Sequence, residues 1–160
     1  MDTGIFFQEK PFSLWSMTHG IPVLILIIFA IFVILYGKSL PSRKKKKNIL
    51  ILLAFIPFIA LMIQIIIVLV RGTFTIQADL PIHICRLLAL TAPLVYWKEH
   101  KFWTGIFYFW ILVGTLNAVI AADIRHDFPH WNYLTYFVVH QGLIIPVSYT
   151  HLTLPTTPYV

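Results

Sequence analysis

Apolar residues fall into five long runs that are separated by short polar stretches. The runs cover about Phe12–Tyr36, Ile49–Val70, Leu80–Trp97, Phe102–Ala122 and Tyr133–Tyr149. Each run has between 17 and 25 residues, and a helix needs about 20 residues to cross a bilayer. Uniformly apolar runs of this length lack the alternation of barrel strands. The pattern therefore predicts an all-α fold, a polytopic transmembrane helix bundle with five spans.

The composition excludes most soluble classes of protein. Hydrophobic residues make up 59% of the 160 residues and charged residues only 11%, whereas a soluble domain has about 25% charged residues. The single cysteine, Cys85, cannot form an internal disulfide. Disordered, disulfide-rich and nucleic-acid-binding classes are therefore excluded, and membrane lipids are the expected partners.

The basic residues predict how the chain is oriented in the membrane. The loop Gly37–Asn48 and the turn between the third and fourth runs contain eight of them: Lys38, Arg43, Lys44, Lys45, Lys46, Lys47, Lys98 and Lys101. The other loops and the N-terminal segment contain three, namely Lys10, Arg71 and Arg125. Because basic loops stay in the cytoplasm, we expect a cell-membrane protein with its N-terminus outside and its lysine-rich loop 37–48 inside.

The last 13 residues differ from the rest of the chain. The segment 148–160, SYTHLTLPTTPYV, is rich in Thr and Pro and resembles translated sequencing-adaptor sequence of the kind found in proteins assembled from metagenomic reads. We interpret residues 1–147 as one transmembrane domain that is incomplete at its C-terminus, and 148–160 as a non-native tail. The alternative is a genuine cytoplasmic tail.

Several polar residues lie inside the predicted spans, within about 5–11 Å of their outer ends at a rise of 1.5 Å per residue. They are His19, Gln64, His83, Arg86, Asn117, His140 and Gln141. Polar groups are costly in hydrocarbon and often mark function, although they also serve as hydrogen bonds between helices, worth about 0.6 kcal/mol each. One shared layer predicts an outward-facing polar site, with Asp79, His83 and Arg86 on one stripe of the third span.

The chemistry of these residues suggests a role for each. His83 and His140 are candidate general bases, and Arg86 is suited to a phosphate or carboxylate. No carboxylate lies within a predicted span at the depth of Arg86, so we expect it to meet Asp79, water or an anion. The remaining candidates for ligand binding are His19, Gln64, Asn117 and Gln141.

Two classes of function fit such a site. One is an enzyme that acts on a lipid or another anionic headgroup, and the other is a non-catalytic protein that binds or transports a small solute. A zinc site of His19, His83 and His140 is a third possibility. No carboxylate lies inside a span to support such a site, so no metal or other cofactor is predicted.

Four ordered motifs carry a resemblance to a known family. They are PFSLWSMTHG at 11–20, LPIHIC at 80–85, YFWILVGTLNAVIAADI at 108–124 and FPHWNYLTYFVVHQGLI at 128–144. The region 11–147 resembles the YwaF family of bacterial integral membrane proteins and, more distantly, eukaryotic transmembrane protein 164. The resemblance implies about seven spans, two of which would follow Val147.

The resemblance also implies a possible enzymatic activity. The eukaryotic relative is regarded as a phospholipid acyltransferase with a cysteine nucleophile beside one histidine and a second histidine on a later helix. His83 and His140 match the two histidines, and the position of the nucleophile is occupied by Ile82. A lipid acyltransferase or hydrolase is therefore the enzyme class that the resemblance implies.

Overall fold

The computed structural model describes residues 4–80 and 82–154, and five helices of ten or more residues organise them. We number these α1, Met17–Ser39; α2, Arg43–Val70; α3, Ile84–Lys98; α4, Lys101–Ile120; and α5, Trp131–Thr153. A 3₁₀ turn, Ile5–Phe7, and a single helical turn, Ile76–Asp79, are the other helical elements. The described residues form no strand beyond an isolated bridge between Pro11 and His126. The predicted all-α bundle is confirmed.

Three helices of the described chain, α1, α2 and α4, are long and apolar enough to cross a membrane. Many of their large apolar side chains face outward, as Ile25 and Ile28 of α1 do, which suits contact with lipid. α3 has only 15 residues, a length of roughly 22 Å. α5 has 23 residues but more polar ones. Five helices thus occupy the five predicted runs, and three of them meet the requirements of a full span.

The lysine run is helical, which corrects the prediction of a loop over residues 37–48. α1 continues to Ser39, and α2 begins at Arg43. Lys and Arg are good helix formers, so the run extends α2 by two turns beyond its apolar part. The loop between the two helices is consequently only three residues long, Leu40 to Ser42.

α3 begins later than the apolar pattern predicts. Leu80 is extended, with φ −60° and ψ 136°, as is favoured for a residue that precedes a proline in the sequence. Asp79 therefore ends the short turn before it, and His83 is the residue directly before α3. The predicted stripe of Asp79, His83 and Arg86 along one helix is wrong, because only Arg86 lies within α3.

α5 extends past the predicted end of the fifth run at Tyr149. It continues through Ser148 to Thr153, and both Tyr149 and Thr153 are buried. Residues 155–160 of the predicted tail lie outside the described residues. The origin of segment 148–160 stays a prediction.

Small residues allow the helices to approach one another closely. α2 packs against α3 and α5, and α1 packs against α5. A Cβ atom on Gly142 of α5 would lie 2.9 Å from Cδ of Pro57 in α2. A Cβ atom on Gly37 of α1 would collide with the ring of Tyr149. Both glycines are therefore places where two helices touch through the backbone.

Proline lies inside four of the helices, at Pro22, Pro57, Pro93 and Pro146. A proline lacks the N–H that would bond the carbonyl four residues earlier, and such a carbonyl needs another donor within a membrane. At Pro22 that carbonyl belongs to Thr18, and the hydroxyl of Tyr133 donates to it. α5 thereby supplies the hydrogen bond that α1 loses at its proline.

Candidate functional site

The two ends of the bundle differ in their polar residues. We call the end that carries the N-terminal segment and the loops after α2 and α4 the cavity end. The opposite end, which carries Lys38, the run Arg43–Lys47 and Lys98, is the lysine end. The ammonium group of Lys46 donates to the carbonyl of Thr153 at 3.1 Å, which places the end of α5 there as well.

An open cavity of about 620 Å³ lies at the cavity end. Its walls come from α2, α3, α5, the N-terminal segment and the loops that follow α2 and α4. The lining side chains with ionisable or polar groups are Glu9, Gln64, Thr73, Thr75, Asp79, Cys85, Arg86, Asp123, Arg125, Trp131, Asn132, Thr135, Tyr136 and His140. Gln64, Arg86 and His140 are the members of the predicted site that the cavity brings together.

Arg86 reaches the cavity from the first turn of α3 and is half-buried. The carboxylate of Asp79 lines the same cavity and attracts the guanidinium electrostatically. Asp79 is itself held in place, because its Oδ2 accepts hydrogen bonds from the backbone N–H of Thr75 at 2.8 Å and from its hydroxyl at 3.2 Å. Of the three surroundings expected for Arg86, the structure supplies Asp79.

His140 has a defined orientation on α5. Its Nδ1 lies 2.7 Å from the carbonyl oxygen of Tyr136, and since a carbonyl only accepts, Nδ1 must carry the proton. The ring also packs on that of Tyr136 with centroids 4.1 Å apart. The hydroxyl of Tyr136 donates to the carbonyl of Ala118 at 2.8 Å. In neutral His140 the lone pair is therefore on Nε2, which can accept a proton.

Two of the predicted ligand-binding residues hold helices together instead. His19 is 2% exposed. Its Nδ1 accepts the N–H of Trp15 at 3.3 Å, and its Nε2–H donates to the carbonyl of Val119 at 2.9 Å. Gln141 donates from Nε2 to the carbonyl of Pro22 at 2.9 Å. Neither residue lines the cavity.

The remaining two candidates, His83 and Asn117, are exposed and do not line the cavity. His83 precedes α3 because that helix starts late. The side chain of Asn117 donates to the carbonyl of Val113, four residues earlier on its own helix, at 2.7 Å. The cavity thus brings together three of the seven polar residues of the predicted layer, because depth along a span does not fix the direction in which a side chain points.

The predicted alternative of a three-histidine metal site is not formed. Within residues 4–80 and 82–154, no three His, Cys, Asp or Glu side chains lie close enough together to hold a metal ion. Both ring nitrogens of His19 are already used by backbone groups. His83 is exposed outside the cavity that His140 lines.

The sequence pattern missed several polar residues of the cavity. Glu9, Asp123 and Arg125 belong to segments between or before the helices, so depth within a span could not reveal them. Tyr136 carried a signal, because it precedes His140 by one helical turn. Cys85 is half-buried in the cavity wall, with its Sγ 3.9 Å from Oγ1 of Thr115.

Thr115 belongs to an irregular part of α4. Residues Ile111–Thr115 form a π-helical segment, and the side chain of Thr115 is fully buried. Such segments are rare and often occur at functional sites. This one directs the Thr115 hydroxyl toward the cavity wall at Cys85.

Comparison with known proteins identifies the family of the chain. The model of the TMEM164 family matches residues 12–159. No curated protein and no solved structure matches the sequence. The match covers all five helices and the whole cavity end beyond Pro11. The chain belongs to the TMEM164 family.

Proposed function

We propose that the cavity binds an anionic group, a phosphate or carboxylate, carried by a membrane lipid or by a solute. The observation that carries the proposal is that Arg86 and His140 line one open cavity of about 620 Å³. The guanidinium of an arginine can donate two parallel hydrogen bonds to such a group. Asp79, which also attracts Arg86, would hold the guanidinium ready at the cavity wall.

The charge distribution gives the direction from which the ligand enters. The lysine end carries eight basic residues, whereas the loops and the N-terminal segment of the cavity end carry three, which favours a cytoplasmic position for the lysine end. The cavity would then open toward the outer leaflet of the cell membrane. A ligand would reach Arg86 from that leaflet or from the external solution.

Within this site His140 is the candidate catalytic residue. Its Nδ1–H is engaged by the Tyr136 carbonyl, so Nε2 can take a proton from a hydroxyl group or from water. With Arg86 holding a phosphate nearby, His140 could activate the attacking oxygen in acyl transfer to, or hydrolysis of, a lipid. Gln64, across the cavity on α2, is a further ligand-binding residue.

One observation favours the alternative of a non-catalytic protein that binds or transports a solute. Ile82, which occupies the position of the nucleophile expected from the family resemblance, is 75% exposed and has no group that can attack. A binding protein would need Arg86 but no general base. The two functions therefore differ in what they require of His140.

Ligand-dependent stability tests the anion site. Protein in lipid nanodiscs should unfold at a higher temperature when a short-chain phosphatidic acid or inorganic phosphate is added. The free energy of unfolding should rise by about 2.7 kcal/mol at a ligand concentration of 100 Kd. Arg86→Gln should abolish the gain, and Arg43→Gln, at the lysine end, should leave it intact. If only phosphatidic acid stabilised the protein, the ligand would be a lipid. If inorganic phosphate also stabilised it, the ligand would be a phosphate-bearing solute. If neither of these probes nor a carboxylate solute such as acetate stabilised the protein, or if the gain survived Arg86→Gln, the site would be refuted.

His140→Gln separates the two functions. For an enzyme, the variant should keep the stabilisation by the anion and lose about 10²–10⁴-fold in turnover of a phospholipid ester, the usual contribution of a general base. For a binding protein, neither the wild type nor the variant would release fatty acid or transfer an acyl chain. Equal turnover in the two proteins would exclude His140 as the base.

A further inference from the structure

The N-terminal segment contributes to the wall of the cavity and is attached to the loop that follows α4. The N–H of Asp127 donates to the carbonyl of Lys10 at 2.7 Å, and the N–H of Phe12 donates to the carbonyl of Arg125 at 3.4 Å. These bonds flank the bridge between Pro11 and His126. Through Glu9, the same segment contributes a carboxylate to the cavity wall.

Side chains also attach the segment to the rest of the cavity end. The ammonium of Lys10 lies 3.8 Å from Oδ2 of Asp127, whose side chain is only 8% exposed. The guanidinium of Arg71, at the end of α2, lies 3.9 Å from the ring centroid of Phe7, a favourable cation–π distance. The ring of Phe7 in turn packs edge-on against His130.

Two histidines, His126 and His130, contact the attached segment. The rings of His126 and His130 are stacked with centroids 4.2 Å apart, and His130 is 6% exposed. Nδ1 of His130 accepts the N–H of Asn132 at 3.1 Å and so caps the first turn of α5. If Nδ1 of His130 were protonated, it could no longer accept this hydrogen bond, and its N–H would face the N–H of Asn132.

The charges around His130 disfavour its protonation. Burial lowers the pKa of His130, and the neighbouring His126 and Arg71 lower it further, while Glu9 acts in the opposite direction. Lys10 and Asp127 form the adjacent ion pair, and the first turn of α5 adds no charged residue. A positive charge on His130 would therefore lie near that of Arg71 and would cost the hydrogen bond from Asn132.

We infer that His130, stacked on His126, acts as a pH-sensitive latch that holds the N-terminal segment against the cavity wall. A proton on His130 places a positive charge beside Arg71 and removes the cap of α5, so the segment with Phe7 and Glu9 detaches and the cavity loses this part of its wall. The inference goes beyond the proposed function, because it concerns the attachment of the N-terminal segment. This attachment can be measured without any ligand.

The mobility of a spin label tests the latch. The label is attached at Gln8, an exposed residue of the segment, as Gln8→Cys in a Cys85→Ser background of the full chain in lipid nanodiscs. Between pH 7.5 and 5, the ratio of mobile to docked label should rise by up to about tenfold per pH unit for each coupled proton. Asp127→Asn, which removes the ion pair with Lys10, should release the label already at pH 7.5.

Asparagine substitutions provide the matched control. His126→Asn with His130→Asn keeps a capping acceptor at the start of α5, since Asn is a preferred cap, but removes both imidazole rings. This double variant should stay docked at pH 5, whereas His100→Asn, at the lysine end, should behave like the wild type. A wild-type label that stayed docked at pH 5 would overturn the latch, and so would an equal release in the double variant.

Discussion

The cavity end and the lysine end satisfy their polar groups in different ways. At the cavity end, His19, Tyr133 and Tyr136 cross between helices and bond carbonyls near a proline or near a helix end. At the lysine end, the charges stay on the rim, where Lys47 lies 3.5 Å from Glu99. The interior beside that rim is closed by the contact of Gly37 with Tyr149. Hydrogen bonds from buried side chains thus join the helices at the cavity end, whereas the lysine end combines apolar packing with the bond from Lys46 to the carbonyl of Thr153.

The substitution expected to have the largest effect on stability is at His19. His19→Ala removes the hydrogen bonds to Trp15 and Val119, and a buried group left without its partner costs about 1–3 kcal/mol. Together with the lost packing of the ring, we expect a loss of about 2–4 kcal/mol in the free energy of unfolding. The measurement is denaturation in mixed micelles followed by circular dichroism.

The control for this prediction is His100→Ala. His100 is exposed at the lysine end, and exposed substitutions usually change the free energy of unfolding by less than about 0.5 kcal/mol. If the two alanine variants lost the same stability, the bonds of His19 would contribute nothing to holding α1 against α4.

The second test addresses packing at the lysine end. In Gly37→Ala, the new methyl group would collide with the buried ring of Tyr149 and approach Cγ2 of Thr153 to 2.9 Å. Overpacking of this kind costs about 1–3 kcal/mol. Thermal unfolding in the same micelles should show the loss.

A matched glycine distinguishes crowding from helix propensity. A Cβ atom on Gly105 of α4 meets no atom within 4 Å, and alanine is a better helix former than glycine by about 1 kcal/mol. Gly105→Ala should therefore raise the unfolding temperature while Gly37→Ala lowers it. A rise in both variants would show that α1 and α5 have room to separate.

The helices were predictable from the sequence because hydrophobic runs of span length have few alternatives. The residues at which the helices begin and end were harder to predict. They depend on local features such as Pro81 after Leu80 in the sequence and the helix-forming lysines before Ile49. The charge asymmetry and the resemblance also pointed to a membrane protein, which the family match supports.

The candidate site was predictable only in part. Depth along each span selected Arg86, His140 and Gln64, which line the cavity, but it could not tell a side chain that faces a cavity from one that bonds a neighbouring helix. His19 and Gln141 are of the second kind, because α4 and α1 present carbonyls that need donors. Which carbonyls need donors depends on helix packing, which spacing along one helix does not contain.

The smallest effect is expected at the ion pairs of the lysine end. Glu99 meets Lys47 at 3.5 Å and Arg43 at 3.9 Å, and these side chains are 28 to 67% exposed. Exposed pairs contribute about 0–1 kcal/mol, so Lys47→Gln should change the unfolding temperature little, and less at high salt than at low salt because salt screens exposed charges.

The corresponding pair at the cavity end should behave differently. The side chain of Asp127 is 8% exposed, and its Oδ1 also accepts the N–H of Phe128 at 2.8 Å. Because its carboxylate is buried and hydrogen-bonded, Asp127→Asn should lower the unfolding temperature more than Lys47→Gln does, with charge-assisted hydrogen bonds worth about 1.5–3 kcal/mol. Equal effects of the two substitutions would mean that burial does not separate the two ends. A larger effect of Lys47→Gln would mean that charge, and not the contact of Gly37 with Tyr149, holds the lysine end together.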